Sequence, residues 1–512
     1  MSKGGTLKNV FTVGSFTMLS RFLGLLREML QSRLIGAGVE QSAFTLAFAI
    51  PNMFRKMFGE GALTAAFVPV FKAANETDGL KEAEKLARAV FAMVFLILFA
   101  IIALGFCVSG YFSVTADSER GKLIAVLVTI LLPYMLFICG AAFGMGVLNA
   151  LGKFKASSFM PAFLNLVWIA ALGLLAFDPA LEVKYRVGFV ALAILAGGFA
   201  QMGFMLIAMK RAGVDLFRRP FLPWKDERFA LVRKNLVIGI VGAGAIQANY
   251  ALDQLLAQLA SPWAAGVIGY AERLMDLPLG VIGVAFGTVL LPTFAGFFAK
   301  NDLDGARGAF AASVEQQMFV MIPAALGLAV TAPVVTQVIY EGGSFDAVAT
   351  LRVSRALAVY ALGLGFFGFQ KSLIPWFQAQ HDMKTPLRVS VATVIVNAAL
   401  NILAVWLLPV EWRHVGLAVS TVFCAALGCV VFVCVAHARG QSLGLVKTLP
   451  TLAKILFAAL LMAAAVYFAD RLKAVTLRPI CRLASDIAIG GVVYIFAVLP
   501  LLGKRIPLRK RY

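Results

Sequence analysis

Apolar stretches of twenty or more residues recur along almost the whole chain, separated by short polar connections. Crossing a hydrocarbon core about 30 Å thick takes roughly twenty apolar residues of helix, so each stretch reads as a membrane span. Fourteen spans are expected, at 8–35, 42–71, 86–113, 122–150, 157–177, 187–209, 235–260, 265–298, 310–339, 350–379, 386–408, 415–437, 447–469 and 483–503. The second is too long to cross upright, and Gly59 and Gly61 predict a bend or strong tilt there. The fold class is an all-α polytopic membrane protein with 14 transmembrane helices.

The connections carry a second pattern. Alternate ones are basic: 72–88 (mixed sign), "GKFK" at 152–155, the segment 210–234, "HDMK" at 381–384 and the tail "GKRIPLRKRY". The intervening "TADSER" and "YEGGSFD" are mixed or acidic. The positive-inside rule then puts both termini in the cytoplasm. Residues 470–482 run against it, with Arg471, Lys473, Arg478 and Arg482 on the expected outer side.

The chain also repeats itself. "FVPVF" at 67–71 has a counterpart in "LLPTF" at 290–294, and "GKFKASSFMP" at 152–161 parallels "HDMKTP" at 381–386. Both fit a parallel duplication: an N-terminal six-helix lobe at 1–210, an interfacial linker at 211–234, and a C-terminal six-helix lobe at 235–440. Spans 13 and 14 with the basic cytoplasmic tail, 441–512, have no counterpart. Two such bundles are a usual frame for alternating access.

Composition narrows the class. With 61% hydrophobic and 14% charged among 512 residues, the chain is no ordinary soluble domain. Its net charge of +20 sits mostly in the connections, which points to anionic membrane lipids and not to nucleic acid. The N-terminal run lacks a small-residue cleavage pattern and reads as the first span. Six cysteines, mostly inside spans and without metal-ligand spacing, read as packing residues.

Against this background the charges inside spans stand out, because each costs roughly 2.5–3.5 kcal/mol near a bilayer centre. On a helical wheel Arg21, Gly24, Arg27 and Glu28 share one arc of about 120°, and Arg33 points the opposite way. The second span carries Arg55, Lys56 and Glu60, the last two spaced as i,i+4 partners. The eighth carries Glu272, Arg273 and Asp276. Two readings stand: ion-pair clusters that fix helix packing, or a wet cationic cavity for an anion. Arginine suits a pyrophosphate, since its planar fork donates in pairs and stays charged. A third group, Asp253 with Asn397 and Asn401 at i,i+4, could chelate a small hard cation or form a polar knot between helices.

Enzyme signatures are missing from the sequence. The three histidines, His381, His414 and His437, fall at span ends or in loops, and no phosphate-binding loop, HExxH or paired-aspartate motif is found. A membrane-embedded polyprenyl-phosphate transferase is the rival from another class. It would need an acidic loop cluster, which the sequence does not show.

"SRFLGLLRE", "AFAIPNMFRKMFGEGALTAAFVPVF", "ERLMDLPLGVIGVAFGTVLLP" and "HDMKTP" together resemble the MurJ (MviN) family. These are lipid II flippases of bacterial peptidoglycan synthesis, within the multidrug, oligosaccharidyl-lipid and polysaccharide exporter superfamily. The resemblance implies two six-helix lobes around a central cationic cavity, with a lipid-tail groove formed by the last two helices. It implies substrate binding at Arg21, Arg27, Arg55 and Arg273, supported by Glu28, Lys56, Glu60, Glu272 and Asp276. It further implies lipid II as the transported partner, a transporter and not an enzyme, and residence in the bacterial cytoplasmic membrane. The expected state is a monomer with no organic cofactor, near other cell-wall synthesis proteins. Members with a sodium site make Asp253, Asn397 and Asn401 its candidates, and coupling to sodium or to membrane potential is the expectation. An exporter of another polyprenyl-linked saccharide is the alternative within transport. One departure is plain: where relatives often read "DAF", this chain has Ser42 before Ala43 and Phe44.

Overall fold

The computed structural model describes residues 3–178, 180–217, 226–473 and 477–503. Among them the chain is helical, with no β-structure beyond one bridge between Gly342 and Phe345. Two compact units emerge, one of Met1–Gln258 with Gly342–Phe345, the other of Leu259–Glu341 with Asp346–Tyr512. Ten helical segments among the described residues are long and apolar enough to cross a membrane, which makes this a multi-pass membrane protein.

The first unit begins with α1 (Lys3–Ile35) and α2 (Val39–Phe54). A π-helical segment (Arg55–Ala62) that contains Gly59 and Gly61 follows, and α3 (Leu63–Thr77) continues from it without a break. Next come α4 (Leu80–Thr115), α5 (Glu119–Leu131), α6 (Tyr134–Ala150), α7 (Phe154–Leu175), α8 (Val183–Arg211) and α9 (Glu227–Ala260). α1 packs on α7, α6 on α8, and α2 on α5. Phe67 and Phe71 of the first repeat motif are buried, and Phe67 stacks on Phe143 at 4.9 Å between centroids.

The unit boundary falls inside α9, later than the sequence division at 211–234. Phe229, Val232 and Leu236 are buried in the first unit's core, and Gln258 Nε2 donates to the Ser42 carbonyl at 2.7 Å. Residues 218–225 of the expected linker, including Arg218, Arg219, Pro220, Pro223 and Trp224, lie outside the described residues, as does the basic tail from Lys504.

The second unit holds α10 (Ala264–Ala299), α11 (Leu303–Tyr340), α12 (Ala347–Gln378), α13 (Lys384–Leu407), α14 (Val410–Ala438), α15 (Leu449–Lys473) and α16 (Pro479–Leu502). Its motif residue Phe294 is buried and meets Trp376 edge-on at 5.5 Å, so the Pro-aromatic motif plugs the core of each unit. Edge-on and stacked rings of this kind add about 0.5–1.5 kcal/mol per pair beyond their burial. Asp302 and Asp346 cap α11 and α12, accepting from Gly305 N and Ala349 N at 2.7 Å each.

α15 and α16 pack on each other and on α11, and Tyr494 donates its hydroxyl to Phe319 O at 2.7 Å. Arg482 forks onto Asp470 at 2.5 and 2.8 Å, and Arg471 lies 4.8 Å over the Tyr467 ring. Two of the four cations in residues 470–482 are thus engaged within the α15–α16 pair.

Candidate functional site

Among the charges that the sequence places inside spans, Arg27 is closely held. Its side chain is only 14% exposed, as is that of Glu28, with which its Nη2 forms an ion pair. Nη1 donates to Asn165 Oδ1 at 2.9 Å, and the guanidinium lies 4.4 Å from the centroid of Trp168. Both partners come from α7, the helix on which α1 packs. Asn165 also ties back to α1, donating from Nδ2 to Ser20 O at 3.0 Å. Gly24 leaves this space open: a Cβ there would meet Asn165 Nδ2 at 3.7 Å.

Trp168 is itself held edge-on by Phe44 and Phe48 of α2, at 5.7 and 5.4 Å. Arg27 therefore keeps one face on an aromatic ring and two edges on fixed acceptors, which orients the guanidinium before any ligand arrives. One neighbour is anionic, so the arc expected from the wheel is partly an internal ion pair. Arg21 on the same helix is exposed.

Arg55 opens the π-helical segment and donates from Nε to Asn52 Oδ1 at 3.0 Å. Lys56 stands 5.1 Å over the ring of Tyr250 in α9. The side chain of Glu60, its expected i,i+4 partner, lies outside the described residues.

Arg273 and Asp276 are exposed on α10, with Glu272 half-buried. They belong to the second unit, whereas Arg21, Arg27 and Arg55 belong to the first. Of the candidate cation ligands, Asn397 and Asn401 are brought together: Asn401 Nδ2 donates to Asn397 Oδ1 at 2.9 Å, both side chains being buried. Asp253 is half-buried on α9 in the first unit. Among the described residues no cluster of three or more His, Cys, Asp or Glu is placed to hold a metal.

The sequence reading missed Asn165 and Trp168. The available signal was a lone amide inside an apolar span with a tryptophan at i+3. It also left Ser42 as a simple loss of charge. In the structure Ser42 is fully buried and accepts from Gln258 through its carbonyl and its hydroxyl, while Arg120 Nη2 reaches Gln258 O at 2.8 Å. Position 42 thus joins a polar knot between α2 and α9 that Arg120 of α5 braces. The "HDMKTP" motif is likewise a helix start: Asp382 Oδ1 accepts from Lys384 N and Thr385 N at 3.0 Å, and Arg439 Nη1 meets Oδ2 at 2.6 Å.

The second unit contains an apolar cavity of about 390 Å³ between α11, α12 and α15. Met318, Ile322, Phe366, Phe369, Leu452 and Leu456 are among its walls. It is open on one side and lined almost wholly by carbon, which suits a hydrocarbon chain.

Residues 31–484 match the protein family described as lipid II flippase MurJ. A protein of Vibrio cholerae named "Probable lipid II flippase MurJ" is 30% identical over 520 residues, covering 98% of this chain and 97% of that protein. The "Lipid II flippase MurJ" of Burkholderia cenocepacia is 31% identical over 425 residues, covering 80% of each. In fold, the chain is similar to a structure titled "Lipid II flippase MurJ, inward closed conformation", with a TM-score of 0.79, 23% identity, and coverage of 96% of this chain and 99% of that one.

Proposed function

The chain belongs to the lipid II flippase MurJ family, and we propose that it holds the pyrophosphate of its substrate on arginines while the polyprenyl tail stays in lipid. It is a transporter and not an enzyme, and lipid II is its substrate. Neither another saccharide-lipid export role nor a transferase role is favoured.

One observation carries the binding step: Arg27 of α1 is held in place by Asn165, Glu28 and Trp168. A fixed, water-poor guanidinium binds an anion without paying ordering entropy again. Arg21, Arg55 and Arg273 supply the further positive charge, with Glu28, Lys56, Glu272 and Asp276 tuning it. The tail lies in the apolar cavity beside α15, so that only the headgroup leaves the hydrocarbon. Alternating access between the two units then moves the headgroup from the inner to the outer leaflet of the bacterial cytoplasmic membrane, both termini facing the cytoplasm. Membrane potential biases the return of the positively charged empty carrier, at about 2.3 kcal/mol per charge per 100 mV. Sodium, with Asp253, Asn397 and Asn401 as its candidate ligands, is the second energy source we propose.

Equilibrium binding of lipid II to the purified chain in nanodiscs tests the headgroup site. Arg27→Gln and Arg273→Gln should each weaken it at least tenfold, and Arg27→Lys by less, because the ammonium keeps charge but loses the fork. Unchanged affinity in both glutamine variants would overturn the reading.

A further inference from the structure

The second unit carries a cationic constellation that the transport route above does not use. Trp263 closes the α9–α10 connection, Arg352 and Arg355 lie one turn apart on α12, and Trp412, Arg413 and His414 open α14. The Arg352 guanidinium lies 3.9 Å from the Trp263 ring centroid, and that of Arg355 lies 4.5 Å from the Trp412 centroid.

These stacks are built upon a buried base. His414 is fully buried, bonds through Nε2 to the Arg352 carbonyl at 3.1 Å, and meets Trp263 edge-on at 4.9 Å. Arg413 is occupied: it donates to Leu408 O at 3.1 Å and Ala260 O at 3.3 Å, closing the ends of α13 and α9. The nearby carboxylates are occupied too. Asp346 caps α12, and Glu341 accepts from Thr350 at 2.6 Å and Gln337 at 3.2 Å. Glu411 is exposed in the first turn of α14. Among the described residues neither Arg352 nor Arg355 forms an ion pair.

Two like charges at i,i+3 repel when nothing lies between them. Here each is held by a tryptophan face, which leaves both N–H edges available to one shared anion. Their depth indicates which anion. The 32 residues of α12 span roughly 48 Å, so about 9 Å projects beyond a 30 Å hydrocarbon core at each end. Arg352 lies roughly 7 Å and Arg355 roughly 12 Å from the helix start, straddling the headgroup boundary. Tryptophan and arginine both favour that level.

We propose that Arg352 and Arg355, framed by Trp263 and Trp412, form a lipid-phosphate site at headgroup depth in the second unit. The phosphate belongs either to an anionic phospholipid or to a polyprenyl pyrophosphate. On the orientation proposed above, the site faces the outer leaflet.

Native mass spectrometry of the full chain released from detergent reads the site without any transport step. The probes are phosphatidylglycerol, phosphatidylcholine and undecaprenyl pyrophosphate. Wild type should retain phosphatidylglycerol or the pyrophosphate at least fivefold better than phosphatidylcholine, and Arg352→Gln/Arg355→Gln should erase that preference. Loss for phosphatidylglycerol alone identifies a phospholipid site, and loss for the pyrophosphate alone identifies a substrate subsite. If the double variant does not fold, Arg355→Lys decides, since it keeps the charge but loses the fork and part of the stack; a preference reduced at least twofold is expected. Equal retention of all three lipids by wild type, or a preference unchanged in the variants, overturns the proposal. Lipid II transport measured in parallel separates this failure from failure of the flippase reading.

Discussion

Asn165→Leu tests whether Arg27 acts as a prearranged anion receptor. Leucine keeps the branched four-atom skeleton of asparagine, so the buried position stays filled, while Arg27 Nη1 loses the acceptor now at 2.9 Å. A hydrogen bond to a charged group contributes about 1.5–3 kcal/mol. Glu28 and Trp168 still hold the remaining edge and face, so the lower part of that range applies to binding. The lower end of that range, about 1.5 kcal/mol, corresponds to slightly more than tenfold in headgroup affinity. The Ser20 carbonyl, which also loses its Asn165 partner, lies within α1 and adds little. The assay is lipid II binding in nanodiscs, paired with thermal unfolding to verify that α1 and α7 remain packed. Asn165→Asp sharpens it: Arg27 would stay fixed, yet a second carboxylate would compete with the ligand and binding should fall further. Affinity within twofold of wild type for Asn165→Leu, or tighter binding in Asn165→Asp, would refute the reasoning.

Other outcomes follow from contacts of different kinds. Arg33→Ala should leave transport nearly unchanged, because the contact made there, Ser344 N to Arg33 O at 2.7 Å, is with the backbone. Gly343→Ala should cost at least about 1–2 kcal/mol in thermal unfolding, since its φ is +57° and a Cβ would sit 2.3 Å from Arg33 O. Burial works against ionisation of Asp382, yet bonds from Thr385 and Arg439 hold its carboxyl below the usual carboxylate range. Its contribution is therefore present above about pH 4 and lost as pH falls below that. Asp382→Asn should cost about 0.2–1 kcal/mol at neutral pH and nothing in strong acid, as read by unfolding at several pH values. If sodium binds Asp253, Asn397 and Asn401, it should raise thermal stability where potassium does not, and Asp253→Asn should remove the difference.

The architecture was legible because a bilayer imposes it. Twenty-residue apolar runs and the polar connections between them state where helices run and turn, and the π-helical stretch contains Gly59 and Gly61. The arginines were legible for the same reason, since a charge inside an apolar run is conspicuous. Their partners were not. Asn165 is a common kind of polar residue within a span, and only the packing of α1 on α7 turns it toward Arg27. Trp168 reads as core until the guanidinium is seen on its face. The affiliation of α9 was equally hidden, because Gln258 and Ser42 lie 216 residues apart. Such long-range pairings carry no local periodicity.

The central claim is that this chain moves lipid II to the outer leaflet by means of its intramembrane arginines. The direct test is expression in a bacterium depleted of its own lipid II flippase, with lipid II exposed on the outer leaflet quantified by labelling of intact cells. Wild-type chain should restore outer-leaflet lipid II and growth, while Arg27→Ala and Arg273→Ala, accumulating to the same level in the membrane, should restore neither. Outer-leaflet lipid II that stays at the depleted level with abundant wild-type chain, or that both alanine variants restore in full, would contradict the account.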